Sequence, residues 1–113
     1  MIERHWKGIA KTGEADNYVR HLMTETFPAV SKLKGFVRAS ILTRPVEKGT
    51  EFLIVTVWES IEAIRRFAGE DVETAVVPLV VREMMVTFDG KAAHYEVAAD
   101  YAPGAVDYAP GKE

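Results

Sequence analysis

The stretch "FLIVTVWESIEAIRRFAGED", Phe52 to Asp71, decides the fold. Seven apolar or β-branched residues run from Phe52 to Trp58, and at Ser60 the spacing changes to that of a helix. Successive side chains of a strand point to opposite faces. Phe52, Ile54, Thr56 and Trp58 therefore share one side, and Leu53, Val55 and Val57 the other. A strand that is apolar on both sides must be covered on both. Ser60 is a good N-cap for a short helix, Ile61 to Phe67, with Glu62 in the first turn where the helix dipole favours a carboxylate, and Gly69 ends it.

Upstream, "FVRASILTR", Phe36 to Arg44, reads as a strand by its β-branched content. "PVEKGT" supplies turn residues, with Pro45 closing the strand, so this strand and the next form an antiparallel hairpin. Strand alternation puts Phe36, Arg38, Ser40 and Leu42 on one face. From Glu14 to about Lys34, apolar residues recur three and four apart, and that spacing predicts a helix. Pro28 is expected to kink or end it, and Gly35 to follow as its C′ residue. Ile2 to Lys11 is a strand.

Downstream, "EDVETAVV" is open to another helical turn, and Pro78 to Phe88 reads better as a helix than as a strand. "FDGK" is a turn, and "AAHYEV" is the last strand. The order β-α-β-β-α-β is the split βαβ, ferredoxin-like unit, an α+β fold with a four-stranded antiparallel sheet. Two helices cover one face of that sheet. The economical cover for the other face is a second copy of the chain, giving a homodimer packed sheet to sheet as a dimeric α+β barrel.

A chain of 113 residues makes one domain, here residues 1–98. Residues 99–113 form a tail that repeats "DYAPG" from Asp100 and from Asp107, with Tyr101 and Tyr108 expected to anchor it on the partner subunit. The net charge of −3 gives no basic footprint for nucleic acid and no polybasic run for a membrane. Cysteine is absent, which removes disulfides, thiolate nucleophiles and cysteine-held zinc. "MIERHWKG" is charged from the start and does not read as a signal peptide, so the cytoplasm is the expected compartment. No phosphate-cradling glycine loop, nucleotide fingerprint or nucleophilic-serine motif occurs, and no cofactor or metal is expected.

Trp58, at the end of the apolar strand, either walls a flat substrate or fills core. Trp6 shares a strand face with Arg4 and with Gly8, whose missing side chain opens a pocket or marks a bulge. Tyr18 lies at the edge of the helix's apolar stripe, where its hydroxyl can reach a cleft, whereas His21 faces water. His5 and His94 fall on neighbouring strands. His94 is the candidate acid/base residue, and no third ligand completes a metal site. Arg38 suits a dimer interface, Met84 and Met85 fill core, and Glu70, Asp71 and Glu73 make a solvated cluster.

The pieces "LKGFV", "VWESIEAIRRFAG" and "HYEV" resemble the antibiotic biosynthesis monooxygenase family of the dimeric α+β barrel superfamily, over about residues 2 to 98. The resemblance implies the fold and the dimer. It also implies a cofactor-independent monooxygenase acting on an aromatic or polyketide-like small molecule between helices and sheet. The alternative is a non-catalytic small-ligand-binding dimer. A heme-binding or heme-degrading protein ranks last. Heme-degrading members carry an Asn on the first strand, a Trp on the helix after "VW-S" and a His beyond it. Here the helix position is Phe67, the first strand has no Asn, and "ETAVVP" has no His. Phe67 joins Trp6, Tyr18 and Trp58 as the expected substrate-binding set.

Overall fold

The structure, a computed structural model, describes residues 1–107. Strand β1 spans Ile2–Lys11, β2 Phe36–Val46 and β3 Gly49–Trp58. All three pair antiparallel in the order β2-β3-β1. The fourth position is shared: β4, Met85–Phe88, pairs with the C-terminal part of β1, and β5, Ala93–Glu96, with its N-terminal part. This is the expected sheet with its fourth strand interrupted between Phe88 and Ala93. The segment Glu73–Ala75 pairs with the connection between those two strands, through Ala75 N–H to Gly90 O at 3.0 Å and Ala92 N–H to Glu73 O at 2.7 Å. Within "EDVETAVV" a single turn closes, Thr74 N–H to Asp71 O at 3.1 Å, and the chain then runs extended along that connection.

The first helical segment is shorter than its apolar period predicts, and it is bent. It runs as α1, Ala15–His21, a π-helical stretch Leu22–Thr26, and α2, Phe27–Val30. Pro28 cannot donate to the carbonyl of Thr24, and the wider π turn just before it absorbs the mismatch. The extra residue in that turn rotates the apolar stripe. Leu22 and Val30 are buried, while Met23 is exposed. Gly35 is not the helix's C′ residue but the entry to β2, with φ of +94°. A Cβ there would stand 2.5 Å from that of Ala63, so the missing side chain lets the next helix pack close.

That helix, α3, spans Ile61–Ala68 and begins as the sequence indicates, with Ala63 N–H donating to Ser60 Oγ at 3.1 Å. Pro78–Phe88 divides into α4, Leu79–Met84, and β4, so both readings of that stretch hold in part. Pro45 does not close β2. The strand continues to Val46, and Glu47–Lys48 makes a two-residue turn. β2 is the sheet edge, the place where a ladder tolerates a missing N–H. A bulge between Phe36 and Arg38 turns Phe36 to the helix side, opposite Trp58, and leaves Arg38, Ser40 and Leu42 on the outer face. Beyond the sheet, β6, Asp100–Ala102, and β7, Ala105–Asp107, form a separate hairpin around Pro103–Gly104. Tyr101 on it is 78% exposed, and Tyr108 lies outside the described residues. No helix among the described residues is long and apolar enough to cross a membrane.

All helices lie over the face that carries Phe52, Ile54, Thr56 and Trp58. The core there divides in two. One cluster gathers Tyr18, Leu22, Phe52, Ile54, Val81 and Met85. The other gathers Val30, Trp58, Ala63 and Ile64, with Phe36 and Phe67 against them. The outer face is less bare than its sequence implies. Val55 and Val57 are already buried within one chain, between cross-strand neighbours, while Leu42 and Tyr95 stay exposed.

Candidate functional site

Between the two clusters the helices and the sheet leave a cavity of about 320 Å³. Members of both clusters line it: Tyr18, Leu22, Ile54 and Val81 from one, Val30 and Phe67 from the other. The sheet supplies its floor through Arg4 and Trp6 of β1 and Ile54 and Thr56 of β3. Residues 75–78, which follow the pairing with the β4–β5 connection, supply one side. The position therefore follows from two features, a bent helix and an interrupted strand.

Trp6, Tyr18 and Phe67 present three aromatic rings to this space. The Trp6 indole N–H donates to Asp89 O at 2.8 Å, which fixes the ring at the sheet edge. Gly8 makes room for it, since a Cβ there would lie 2.8 Å from the ring. Tyr18 meets Phe52 edge-on at 4.8 Å between centroids and is only 3% exposed, deeper than a stripe-edge position implies. Burial raises its pKa far above the ordinary phenol value, so the hydroxyl stays neutral at neutral pH and can donate a hydrogen bond. Among the described residues it has no hydrogen-bond partner, yet it is not sealed away as a buried unsatisfied group.

Trp58 stands behind the cavity wall and does not line it. It is fully buried, stacked on Phe67 at 5.8 Å and edge-on to Phe36 at 5.3 Å. Its N–H donates to Thr56 Oγ1 at 2.9 Å. Its ring thus backs Phe67, which does face the space.

His94 also lies outside the lining. It pairs across the sheet with Arg4, not with His5. His5 is one residue further along β1 and so on the outer face, beside Glu3 at 2.8 Å and against Tyr95. The two histidines therefore stand on opposite sides of the sheet and form no pair. His94 Nε2 faces Arg4 Nη1 at 2.9 Å. A guanidinium can only donate, so Nε2 accepts and the imidazole is neutral. Its pKa is lowered by burial and then by the Arg4 charge, against a smaller opposing pull from Glu73.

That direction fixes a pH effect. In the unfolded chain the imidazole takes its proton near pH 6.5. The folded chain resists that proton, so His94 contributes stability above this pH and loses it as pH falls toward the lower folded value. Thermal melts between neutral and mildly acidic pH are expected to show the wild-type midpoint falling. His94→Gln, which keeps an acceptor without the titration, flattens that fall. Equal slopes would remove His94 as its source.

Arg4 is the residue that sequence reading left aside. It is 5% exposed. It donates to Val72 O, to Thr74 O at 2.9 Å and to His94, and its guanidinium carbon lies 5.6 Å from the Phe67 centroid. Burial lowers its pKa without removing the charge. A signal was present: Arg4 falls on the same alternation as Ile2, Trp6, Gly8 and Ala10, a cation on the strand's apolar parity. Arg66, on α3 at the cavity, is a second cation and donates to Lys34 O at 2.9 Å.

The sequence profile of the family described as Antibiotic biosynthesis monooxygenase matches residues 9–76. No curated protein matches the chain. Among solved structures, a candidate antibiotic biosynthesis monooxygenase from Bacillus cereus is similar with a TM-score of 0.65 at 22% identity, over 90% of this chain and 95% of that one. A protein of Shewanella oneidensis gives 0.63 at 16% identity, over 83% and 87%. The heme-degrader MhuD of Mycobacterium tuberculosis, solved with two hemes in its active site, gives 0.57 at 20% identity, over 90% and 100%. At these identities the structures speak to the fold alone. The profile covers more than half of the residues, and the chain belongs to the antibiotic biosynthesis monooxygenase family.

Proposed function

We propose that the protein is a small monooxygenase-type oxidoreductase of the cytoplasm, needing no bound cofactor and acting on an aromatic or polyketide-like molecule in the cavity between helices and sheet. One observation carries the reading: a cavity of about 320 Å³, walled by Trp6, Tyr18 and Phe67, that the protein's own side chains leave open. Apolar walls with a few convergent polar groups are what a small-molecule site requires. Quinone formation illustrates the chemistry: α-naphthol and dioxygen give naphthoquinone and water, the substrate itself supplying the electrons. Flat rings of that kind suit the three aromatic walls, with the Tyr18 hydroxyl donating to an oxygen of the substrate.

A non-catalytic binding role is the second reading. The observation favouring it is that no histidine or carboxylate lines the cavity among the described residues. His94 reaches it only through Arg4, as a positioning residue. The heme reading ranks last for the same reason, since the lining offers an iron porphyrin no imidazole. We take the working form to be a homodimer joined through the outer sheet face, where Leu42, Tyr95 and Arg38 are exposed.

Native mass spectrometry of the protein as purified tests these readings together. The expected result is a two-chain mass that carries a small molecule, and loss of that molecule in Trp6→Ala. Oxygen uptake with α-naphthol, and appearance of the quinone, separates enzyme from binder. A single-chain mass overturns the dimer, and a Soret band on adding hemin would raise the heme reading above the other two.

A further inference from the structure

We infer that the cavity is built for an organic anion, a flat apolar body bearing an ionised oxygen that Arg4 receives. The inference rests on the reading of the cavity as a ligand site and adds the class of molecule it takes. Arg4 is almost wholly buried, and among the described residues no carboxylate stands within ion-pair distance of it. A guanidinium has five N–H donors. Three are met, by Val72 O, Thr74 O and His94 Nε2. All three acceptors are neutral, so the hydrogen bonds hold the group without cancelling its charge.

Buried charges are normally paired, because taking a lone ion out of water is costly. The cavity on which Arg4 opens holds Arg66 as well and no acidic side chain, in a chain whose net charge is −3. Positive charge is thus concentrated where the protein as a whole is negative. The Phe67 ring at 5.6 Å and the carbonyls of Val72 and Thr74 set the plane of the guanidinium, and two N–H groups remain for a ligand. An oxyanion accepts both, in the paired geometry for which guanidinium is suited. The Tyr18 hydroxyl, neutral and without a protein partner among the described residues, is a further donor to the same ligand. The lining provides donors and no charged acceptor, which excludes a cationic guest on electrostatic grounds.

Two probes of one shape read this out: β-naphthoate, an anion at neutral pH, and β-naphthamide, its neutral counterpart. Titration calorimetry on the full chain is expected to give the acid at least about tenfold tighter binding than the amide, the range of a charge-assisted hydrogen bond. Both probes should shift the methyl resonances of Leu22, Ile54 and Val81, which places them in the cavity. Arg4→Gln should bring the acid down to the level of the amide. Arg66→Gln should keep most of the preference. Equal affinity of the two probes for the wild-type protein overturns the anion assignment and leaves the cavity as a ligand site, and this comparison holds even if Arg4→Gln does not fold. A preference lost in Arg66→Gln and kept in Arg4→Gln moves the anion to the rim and also overturns it. If neither probe shifts the cavity methyls, the ligand site itself fails and the inference with it.

Discussion

Replacing Trp58 with alanine is expected to lower the unfolding free energy by about 3–5 kcal/mol, the usual cost of truncating a fully buried large aromatic. Trp58 is 0% exposed and belongs to the cluster with Val30, Ala63 and Ile64. Removing it takes away the stack on Phe67 and the edge contact with Phe36, and leaves Thr56 Oγ1 without its indole donor. The surrounding elements are a central strand and a helix end, which cannot collapse into the space without shifting the sheet. Trp58→Phe keeps a ring against Phe67 and should cost clearly less. Urea denaturation at one fixed protein concentration, needed because dimerisation would add to stability, measures both variants. A loss under about 1 kcal/mol for the alanine variant would place Trp58 outside the core. The loss should also reach the cavity, because Phe67 then has nothing behind it.

Gly49→Ala should cost about 3 kcal/mol, at the upper end of overpacking effects. Gly49 opens β3 at φ +153° and pairs with Lys11 on one side and Val46 on the other. An added Cβ would lie 1.9 Å from the carbonyl oxygen of Ala10, a backbone atom that cannot swing aside. The hairpin must therefore pull away from β1 at that end. Gly13→Ala is the contrast: it also has a positive φ, of +89°, but nothing lies within 4 Å of the new methyl, so it suffers conformational strain alone. Paired urea curves for the two variants check the difference. Equal losses would show that φ, and not the clash, sets the cost.

These two sites differ in how far the sequence exposes them. Trp58 ends a strand whose alternation is plain in "FLIVTVW", and its core role was one of two open readings. Gly49 looked like an ordinary loop glycine. Its constraint arises because β1, nearly forty residues earlier, passes within contact distance. The helix over residues 15–30 was visible in its period, but its π turn was not, since that turn answers Pro28 and the packing of Leu22 and Val30 together. The bulge that turns Phe36 inward has no mark of its own in "GFVRAS". It follows from fitting Phe36 against Trp58 across the ladder.

The candidate site divides in the same way. Trp6 and Tyr18 were marked by their places on strand and helix, Phe67 only by the family resemblance, and the fold brings all three to one cavity. His94 was singled out for its chemistry, and the structure sets it behind Arg4. Arg4 was noted only as sharing a strand face with Trp6 and Gly8, and no role was assigned to it.

What the sequence by itself determined is the order of the elements, the strand alternation and the cap of α3, because each depends on residues within a few positions of one another. The family was legible on the same local stretches. Only tertiary structure decided the gap in the fourth strand, the pairing of Glu73–Ala75 with the connection across it, and the enclosure of Arg4 beneath Val72 and Thr74. The enclosure of Arg4 depends on segments about seventy residues apart meeting at one place. No local pattern encodes such a meeting, because the free energy that fixes it belongs to the packed chain as a whole.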